Sequence, residues 1–204
     1  MKWLANRVMA RRARRLLERI RRHLPSSGTV ADIGSGTGHN AEAIRFETQL
    51  AVQDFDVADL HWVGPRPVIF EASHLPAGNR SFDALLMLFV LHYPQSPIEL
   101  LTEVRRVARG PVIILQSTYR GWLGRSVLTV RECLWGRLAF RLAALARVVP
   151  TEKCPLTPRQ YFTRSEIQQL FKSAGFTVSI MERAEWIGLN VSRDLFVLKS
   201  VENE

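Results

Sequence analysis

Residues 30–40 read VADIGSGTGHN, an apolar run that ends in an aspartate and is followed by a glycine at every second position. Glycine weakens a strand, and in the interior of a helix it costs about 1 kcal/mol relative to alanine. One glycine is enough for a tight turn, so three of them require a further reason. Gly34, Gly36 and Gly38 lie between the first predicted strand and its helix. We infer that a ligand approaches the backbone N–H groups of this turn.

The composition is typical of one globular domain. The chain has 204 residues, 47% hydrophobic and 23% charged, which is ordinary for a single folded unit and short for two. No apolar run reaches the roughly 18 residues that suggest a membrane span. Cys133 and Cys154 lack the paired spacing and the histidine neighbours of a metal site. We therefore expect no metal, no disulfide framework and a cytoplasmic environment.

The positive charge is concentrated at the start of the chain. Residues 1–22 carry a net charge of +8, out of +9 for the whole chain, and their apolar residues recur at helical spacing. This pattern predicts a basic amphipathic helix in an N-terminal segment, residues 1–27, that precedes the main domain, residues 28–204. Such a helix docks on the domain with its arginines in solvent, lies on an anionic membrane, or contacts nucleic-acid phosphates. The nearly neutral remainder of the chain makes nucleic acid the less favoured partner.

Strand-like and helix-like segments alternate after residue 28. The predicted strands are 29–33, 50–55, 67–71, 82–88, 111–117, 176–182 and 194–200. Apolar strands that alternate with helices form βαβ units and a parallel sheet with both faces covered. The clearest helix is 97–108, and Thr163 and Glu166 have the spacing of a capping box for a later one. The short connection between the last two strands predicts an antiparallel pair.

The glycine spacing distinguishes between two kinds of ligand. A dinucleotide-binding turn needs G-x-G-x-x-G, but His39 stands in the third glycine place. The spacing D-x-G-x-G-x-G, from Asp32 to Gly38, resembles the first motif of the class I S-adenosylmethionine-dependent methyltransferases of the small-molecule type. Later stretches resemble later parts of the same family, namely residues 50–60, 70–93, 99–118 and 161–176. The resemblance implies a Rossmann-like, doubly wound α/β fold of seven strands, mostly parallel, with a C-terminal antiparallel hairpin, and S-adenosyl-L-methionine as cofactor.

The resemblance also implies which residues contact the cofactor. The second strand of the family ends in an acid that accepts hydrogen bonds from both ribose hydroxyls, because a carboxylate offers two acceptor oxygens. Asp56, preceded by Phe55, matches this acid, and Asp54 is the alternative. Glu71 and Ala72 match the residues that flank the adenine. The implied cofactor-binding set is Asp32, Gly34, Ser35, Gly36, Gly38, Phe55, Asp56, Glu71, Ala72 and Leu88.

The candidate catalytic residues follow the fourth and fifth strands. Methylases of exocyclic amines in this family carry Asn/Asp-Pro-Pro-aromatic after the fourth strand, whereas this chain has Leu88 and Phe89 there. That departure argues against this group and implies an apolar wall beside the methyl group. His92 is the candidate base, because imidazole suits proton transfer near neutral pH. Tyr119 falls at the end of the fifth strand, where acceptor contacts are expected, and His39 is a weaker candidate.

A long helical stretch interrupts the resemblance at residues 119–158. It has more apolar residues than one buried stripe requires, and five arginines prevent it from being a bilayer span. It is a helix packed on the sheet edge, a lid over an apolar acceptor, or a surface that rests on a membrane interface with its arginines at the headgroups. We therefore expect methyl transfer to a small, lipophilic acceptor, with an anionic membrane contacted through residues 1–22. The alternatives are an RNA methyltransferase that uses the N-terminal arginines, and a cofactor-binding module without turnover.

Overall fold

The computed structural model describes residues 2–71, 74–145 and 158–201. Within them, one seven-stranded sheet is flanked by five α-helices. The strands are β1 (Gly28–Ile33), β2 (Leu50–Asp56), β3 (Val68–Ile69), β4 (Ala84–Leu88), β5 (Val112–Tyr119), β6 (Phe176–Gly188) and β7 (Val191–Ser200). The α-helices are α1 (Lys2–Ile20), α2 (His39–Glu47), α3 (Pro97–Val107), α4 (Gly121–Leu145) and α5 (Arg164–Ser173), and a short 3-10 turn (Arg21–His23) follows α1.

The strand order is β3-β2-β1-β4-β5-β7-β6. Strands β1 to β5 are parallel to one another, and β7 runs antiparallel to both β5 and β6. The predicted seven-stranded, doubly wound sheet with its C-terminal antiparallel hairpin is confirmed. The hairpin is longer than predicted on both sides of its turn, where Leu189 and Asn190 adopt φ values of 48° and 63°. Two consecutive positive φ values are typical of the tight turns that match the twist of paired strands.

The sheet buries a separate apolar layer on each face. One layer joins alternate residues of the central strands to α3 and α5, and it contains Leu85, Met87, Ile114, Phe171 and Phe196. The other layer joins the intervening residues to α1 and α2, and it contains Leu17, Ile20, Ile44, Leu86 and Leu115. Because successive strand residues point to opposite faces, the near-continuous apolar runs of β4 and β5 supply both layers.

The connection between β2 and β3 differs from the predicted alternation of strands and helices. Residues 57–67 contain no helix, and none occurs in the described residues between β3 and β4. Pro65 and Pro67 lack the N–H groups that a helix needs, which explains why residues 57–67 contain no helix. The segment packs instead on the start of α2, where the Trp62 N–H donates to the Thr37 carbonyl at 3.1 Å. Strand β3 is correspondingly reduced to two residues, against five predicted.

Helix α1 docks through its second half only. Its buried residues are Ala13, Leu16, Leu17 and Ile20, whereas Trp3, Leu4 and Val8 are exposed. The helical spacing of apolar residues in the sequence includes Leu4 and Val8, so the part of this stripe that docks on the domain begins only halfway along the helix. Leu16, Leu17 and Ile20 pack in the same layer as β1 and β4. Removal of residues 1–22 would uncover this layer, so point substitutions are the better probes of α1.

Helix α4 accounts for most of the predicted helical insertion. Residues 121–145 form the helix, and residues 146–157 lie outside the described residues. Its exposed apolar side chains include Trp122, Leu123, Val130 and Leu134. In the part of the chain that the structure describes, no helix is both long enough and apolar enough to cross a membrane. At the start of α5 the predicted capping box is confirmed, with reciprocal hydrogen bonds between Thr163 and Glu166.

Candidate functional site

The glycine turn lies at the carboxyl end of β1, between β2 and β4, where the strand order reverses. Ligands of open α/β sheets bind at this place. Gly34, Gly36 and Gly38 all have positive φ, at 73°, 56° and 79°. A Cβ atom on Gly34 would lie 2.6 Å from Val90 Cγ2, and one on Gly38 would meet the Val63 carbonyl oxygen. Two of the glycines therefore allow close packing within the protein.

Gly36 is different, because no atom of the described residues lies close to the place where its side chain would be. A Cβ atom added there would find its nearest neighbour 4.0 Å away, in the Gly34 carbonyl oxygen. The Gly36 N–H donates to Asp56 Oδ2 at 2.7 Å, and the Val57 N–H donates to Asp56 Oδ1 at 2.7 Å. These hydrogen bonds hold the Asp56 side chain in place, and each carboxylate oxygen has a second lone pair that can accept a further hydrogen bond.

The two candidate ribose acids have different surroundings. The carboxylate of Asp54 is paired with the guanidinium of Arg45 from α2, which also donates to the Val52 carbonyl at 2.9 Å. Asp54 is only 1% exposed, so this pairing engages its charge within the protein. Asp56 is the last residue of β2 and reaches the open turn. Arg45 was not singled out from the sequence, because its partner lies nine positions away on another element.

Asp32, Asp54 and Asp56 form a group of buried carboxylates that we call the acidic cluster. Asp32 stands directly opposite Asp54 in the register of β1 and β2. Its Oδ2 atom makes no hydrogen bond with any residue that the structure describes. Burial, followed by the charges of Asp54 and Asp56, raises the pKa of Asp32 to about 8, and burial also raises the pKa of the other two. A cationic ligand group would offset this concentration of carboxylates.

Ser35 has a partner that the sequence did not indicate. Its Oγ atom lies 2.8 Å from Nε2 of His61, and the His61 Nδ1 atom lies 2.5 Å from the Pro65 carbonyl oxygen. His61 belongs to the irregular segment between β2 and β3, which no motif marks. A Cβ atom on Gly38 would also lie 3.1 Å from the His61 ring. The segment therefore fixes the outer side of the glycine turn.

The remaining implied cofactor residues lie at the ends of β2, β3 and β4. The ring of Phe55 packs in the core against Phe70 and Phe82, and only its carbonyl group reaches the turn, accepting from Gly34 and Ser35. Glu71 is exposed, two residues after β3. Leu88 is buried as the last residue of β4 and pairs with Leu115. Ala72 lies outside the described residues.

The loop after β4 borders the turn. Phe89 has a φ of 63°, which is rare for a bulky residue and is often found at functional sites. His92 is buried, and its Nδ1 atom lies 2.8 Å from the amide nitrogen of Gln116 in β5. Burial lowers the pKa of His92 to about 4, so the imidazole is neutral at pH 7. Its Nε2 atom makes no hydrogen bond with the described residues.

The structure does not bring the two catalytic candidates to one face of the sheet. Gln116, which contacts His92, and Tyr119 are three positions apart in β5 and so point to opposite faces. Tyr119 is half-buried, and its N–H donates to the Phe162 carbonyl at 3.1 Å. His39 is buried at the start of α2, where its Nδ1 atom lies 2.9 Å from the Thr37 hydroxyl.

The arrangement fits the cofactor that the sequence resemblance implies. One carboxylate oxygen of Asp32 makes no hydrogen bond with the described residues, and this suits the ammonium group of the methionine part of S-adenosylmethionine. Asp56 retains acceptor capacity for vicinal hydroxyls, and the space above Gly36 lies beside it. Among the residues that the structure describes, no cluster of histidine, cysteine, aspartate or glutamate has the geometry of a metal site.

Comparison with known proteins agrees with this assignment. A family model described as a methyltransferase domain matches residues 5–179. A search of curated proteins finds no match. Among solved structures, an S-adenosylmethionine-dependent methyltransferase from Methanosarcina mazei is 16% identical, with a TM-score of 0.62 over 90% of this chain and 97% of that one.

Two further structures are of enzymes crystallised with S-adenosylhomocysteine. The Burkholderia thailandensis 1,6-didemethyltoxoflavin-N1-methyltransferase is 18% identical, with a TM-score of 0.61 over 95% of this chain and 79% of that one. The Streptomyces coelicolor geranyl diphosphate C-methyltransferase is 13% identical, with a TM-score of 0.62 over 96% of this chain and 82% of that one. These likenesses support the fold, and the family model covers most of the sequence. The chain belongs to the class I S-adenosylmethionine-dependent methyltransferases.

Proposed function

We propose that this methyltransferase acts on a small, lipophilic acceptor. The observation that carries the proposal is the apolar end of β4 beside the glycine turn. Leu88 and Phe89 stand there, and the next residue, Val90, packs directly against Gly34. A polar nitrogen acceptor would leave its hydrogen-bonding groups unsatisfied against this wall, whereas an apolar molecule would not.

The proposed contacts with the cofactor follow from the same geometry. Asp32 faces the ammonium group, Asp56 accepts from the ribose hydroxyls, and Glu71 lies toward the adenine. Asp54 is engaged by Arg45, which supports Asp56 as the ribose acid. The full proposed set is Asp32, Gly34, Ser35, Gly36, Gly38, Phe55, Asp56, Glu71, Ala72 and Leu88.

The chemistry requires positioning more than bond activation. When bound, S-adenosylmethionine supplies an electrophilic methyl group, and its carbon–sulfur bond breaks with the electron pair retained by sulfur. The protein holds the acceptor in line with that bond and excludes water. An acceptor atom that carries a proton must lose it, and neutral His92 is the proposed base. This role requires the tautomer with the proton on Nδ1 and the Gln116 amide turned so that its oxygen accepts that proton, which leaves Nε2 free to take up the proton of the acceptor. Tyr119 is proposed to contact the acceptor from the opposite face of β5.

Two structurally similar enzymes act on small molecules, as their descriptions state: 1,6-didemethyltoxoflavin and geranyl diphosphate. They support an acceptor of that size without identifying it. The test is calorimetry with S-adenosylhomocysteine, followed by a screen of labelled methyl transfer to quinones, phenols, fatty acids and bulk RNA. We expect micromolar binding of S-adenosylhomocysteine and transfer to a small molecule. Transfer to RNA alone would favour the nucleic-acid alternative, and binding without any transfer would favour a silent module.

We also propose that the first half of α1 rests on an anionic membrane surface. Trp3, Leu4 and Val8 are exposed there, and Arg7 places its guanidinium carbon 4.8 Å from the Trp3 ring centroid. Contact with phosphates alone would not require exposed apolar residues, whereas insertion at a lipid interface does. Leu4→Gln with Val8→Gln should reduce sedimentation with phosphatidylglycerol vesicles, and vesicles of phosphatidylcholine serve as the control. Equal sedimentation of the variant and the parent protein would contradict this.

A further inference from the structure

Two arginines from separate elements lie over the ring of Phe89, directly after β4, and a third arginine lies near them. Arg12 of α1 places its guanidinium carbon 5.5 Å from the ring centroid, and Arg193 of β7 places its own at 5.2 Å. Burial, and then the like charge of Arg193, lowers the pKa of both Arg12 and Arg131 of α4. Arg131 therefore lies close to the other two. We call Arg12, Arg131 and Arg193 the arginine cluster.

The arginine cluster borders the glycine turn on the side away from the acidic cluster. Phe89 is followed by Val90, which occupies the place where a Cβ atom on Gly34 would lie. Arg193 is paired with Ser117 in the antiparallel register of β5 and β7. Ser117 and Tyr119 share one face of β5. The cluster thus lies at the carboxyl ends of β4 and β5, where an acceptor must be held to reach the methyl group.

The cluster has more positive charge than its acidic neighbours neutralise. Glu185 accepts from Arg193 Nη1 at 2.5 Å and also lies 3.8 Å from Arg19, and Glu132 is the other acid near the cluster. Two glutamates thus face four arginines, with Arg19 included. Arg131 Nη1 and Arg193 Nε are buried and make no hydrogen bond with the described residues. Buried guanidinium donors without acceptors are costly, and an anion would satisfy them.

Solvent reaches the cluster from one side. Arg12 is exposed, while Arg131, Arg193 and Phe89 are half-buried. Burial of part of its guanidinium nevertheless lowers the pKa of Arg12. A ligand from solvent can therefore meet the guanidinium groups and the Phe89 ring together.

We propose that the arginine cluster holds an anionic group of the methyl acceptor, a carboxylate or a phosphate, while Phe89 and Val90 contact its apolar part. This inference rests on the proposed function and narrows the acceptor to a small amphipathic acid. Arginine suits the role because its planar fork binds carboxylate and phosphate oxygens in pairs. The uncharged apolar wall alone would not select such an acid.

The experiment uses three naphthalene probes that differ in charge. The full-length protein is loaded with S-adenosylhomocysteine, and 2-naphthoate, 2-naphthyl phosphate and neutral 2-naphthamide are titrated by NMR. We expect at least one of the two anions to bind at least tenfold more tightly than the amide, and the preferred anion to indicate carboxylate or phosphate. Arg131→Gln and Arg12→Gln should each weaken that anion about tenfold and leave the amide unchanged. Arg193→Gln is the third variant, but it also removes the partner of Glu185.

Matched controls come from arginines on the same helices but outside the cluster. Arg15→Gln on α1 and Arg125→Gln on α4 change exposed side chains and should leave all probes unaffected. Equal binding of anions and amide, no binding of any probe, or no effect of Arg131→Gln and Arg12→Gln would overturn the inference. It would also be overturned if these variants weakened S-adenosylhomocysteine but not 5′-methylthioadenosine, since the arginines would then hold the carboxylate of the cofactor. Failure of S-adenosylhomocysteine to bind the parent protein would instead overturn the proposed function.

Discussion

The acidic cluster and the arginine cluster flank the same turn, but they are built differently. Asp32, Asp54 and Asp56 come from two adjacent parallel strands, and hydrogen bonds from Arg45 and from the backbone hold two of them. The arginines come from α1, α4 and β7, and two of them lie over the half-buried Phe89 ring. The first cluster is fixed by strand register, whereas the second exists only when three remote elements pack together.

The two clusters also differ in how far the protein's own residues neutralise their charge. In the acidic cluster Arg45 neutralises one carboxylate from within the protein, and Asp32 is left with a pKa raised to about 8 by burial and by its neighbours. In the arginine cluster Glu185 and Glu132 compensate in part. Both clusters keep buried polar atoms that make no hydrogen bond with the residues that the structure describes. The predictions below alter one cluster at a time.

The largest effect is expected from the ion pair inside the acidic cluster. Arg45→Met leaves Asp54 buried without its cation and opposite Asp32, and loss of one partner of a buried pair costs about 3–5 kcal/mol. Urea unfolding of the cofactor-free protein measures this loss. Arg66→Met is the matched control, because the Arg66–Asp59 pair is exposed on the arginine side and should contribute about 1 kcal/mol or less. Adding Asp54→Asn to Arg45→Met should recover much of the stability, and no recovery would contradict the pairing.

The next effect concerns affinity for the cofactor. Asp56→Ala removes a carboxylate with acceptor capacity beside Gly36, and we expect S-adenosylhomocysteine binding to weaken by about 1–3 kcal/mol. Calorimetry measures the change. Asp54→Ala is the contrasting variant, because its carboxylate is engaged by Arg45 and its loss should reduce stability more than affinity. The opposite outcome, with affinity lost in Asp54→Ala and kept in Asp56→Ala, would assign the ribose to Asp54.

Asp32 is expected to give a smaller effect that depends on pH. Its pKa is raised in the folded state from 3.8 to about 8, so the stability that protonated Asp32 contributes is present at low pH and is lost as the pH rises toward 8. Asp32→Asn cannot ionise. It should therefore raise the melting temperature at pH 8, by about 2–4 °C for each kcal/mol recovered, and much less at pH 4. A difference that is independent of pH would show that Asp32 ionises normally.

The sequence was sufficient for the parts of the site that local pattern encodes. The glycine turn, Asp32 and Asp56 lie in or beside strands whose apolar runs are unambiguous, so their positions in the sheet follow from strand order. The loss of the helix between β2 and β3 follows from Pro65 and Pro67, which a count of alternating elements overlooks. The sequence also left the choice between Asp54 and Asp56 open, since only the position of Arg45 separates them.

The arginine cluster lay beyond sequence reasoning for a physical reason. Arg12, Arg131 and Arg193 are separated by more than sixty positions from one another. Arg12 and Arg131 lie in segments with several other arginines, and Arg193 is the one arginine of β7. Spacing along the chain therefore carries no information about which of them meet. The same holds for the exposure of Leu4 and Val8, because periodicity predicts a stripe but not how far along the helix the partner surface extends.

The smallest effect is expected at the pair of His92 and Gln116, which carries no charge at neutral pH, unlike the acidic cluster and the arginine cluster. Gln116→Met leaves His92 Nδ1 without its partner and should cost about 1–3 kcal/mol, toward the low end because the group is uncharged. The pKa of His92 is lowered by burial to about 4, so its stabilising contribution is complete above its ordinary pKa and is lost as the pH falls toward 4. Between pH 7 and 8 the imidazole is therefore neutral, and the cost of Gln116→Met should be the same at both values in urea unfolding. A neutral imidazole at these pH values is also what the proposed base requires. If the cost instead rose steeply from pH 8 to pH 7, His92 would be taking up a proton there, and the lowering of its pKa by burial would be contradicted.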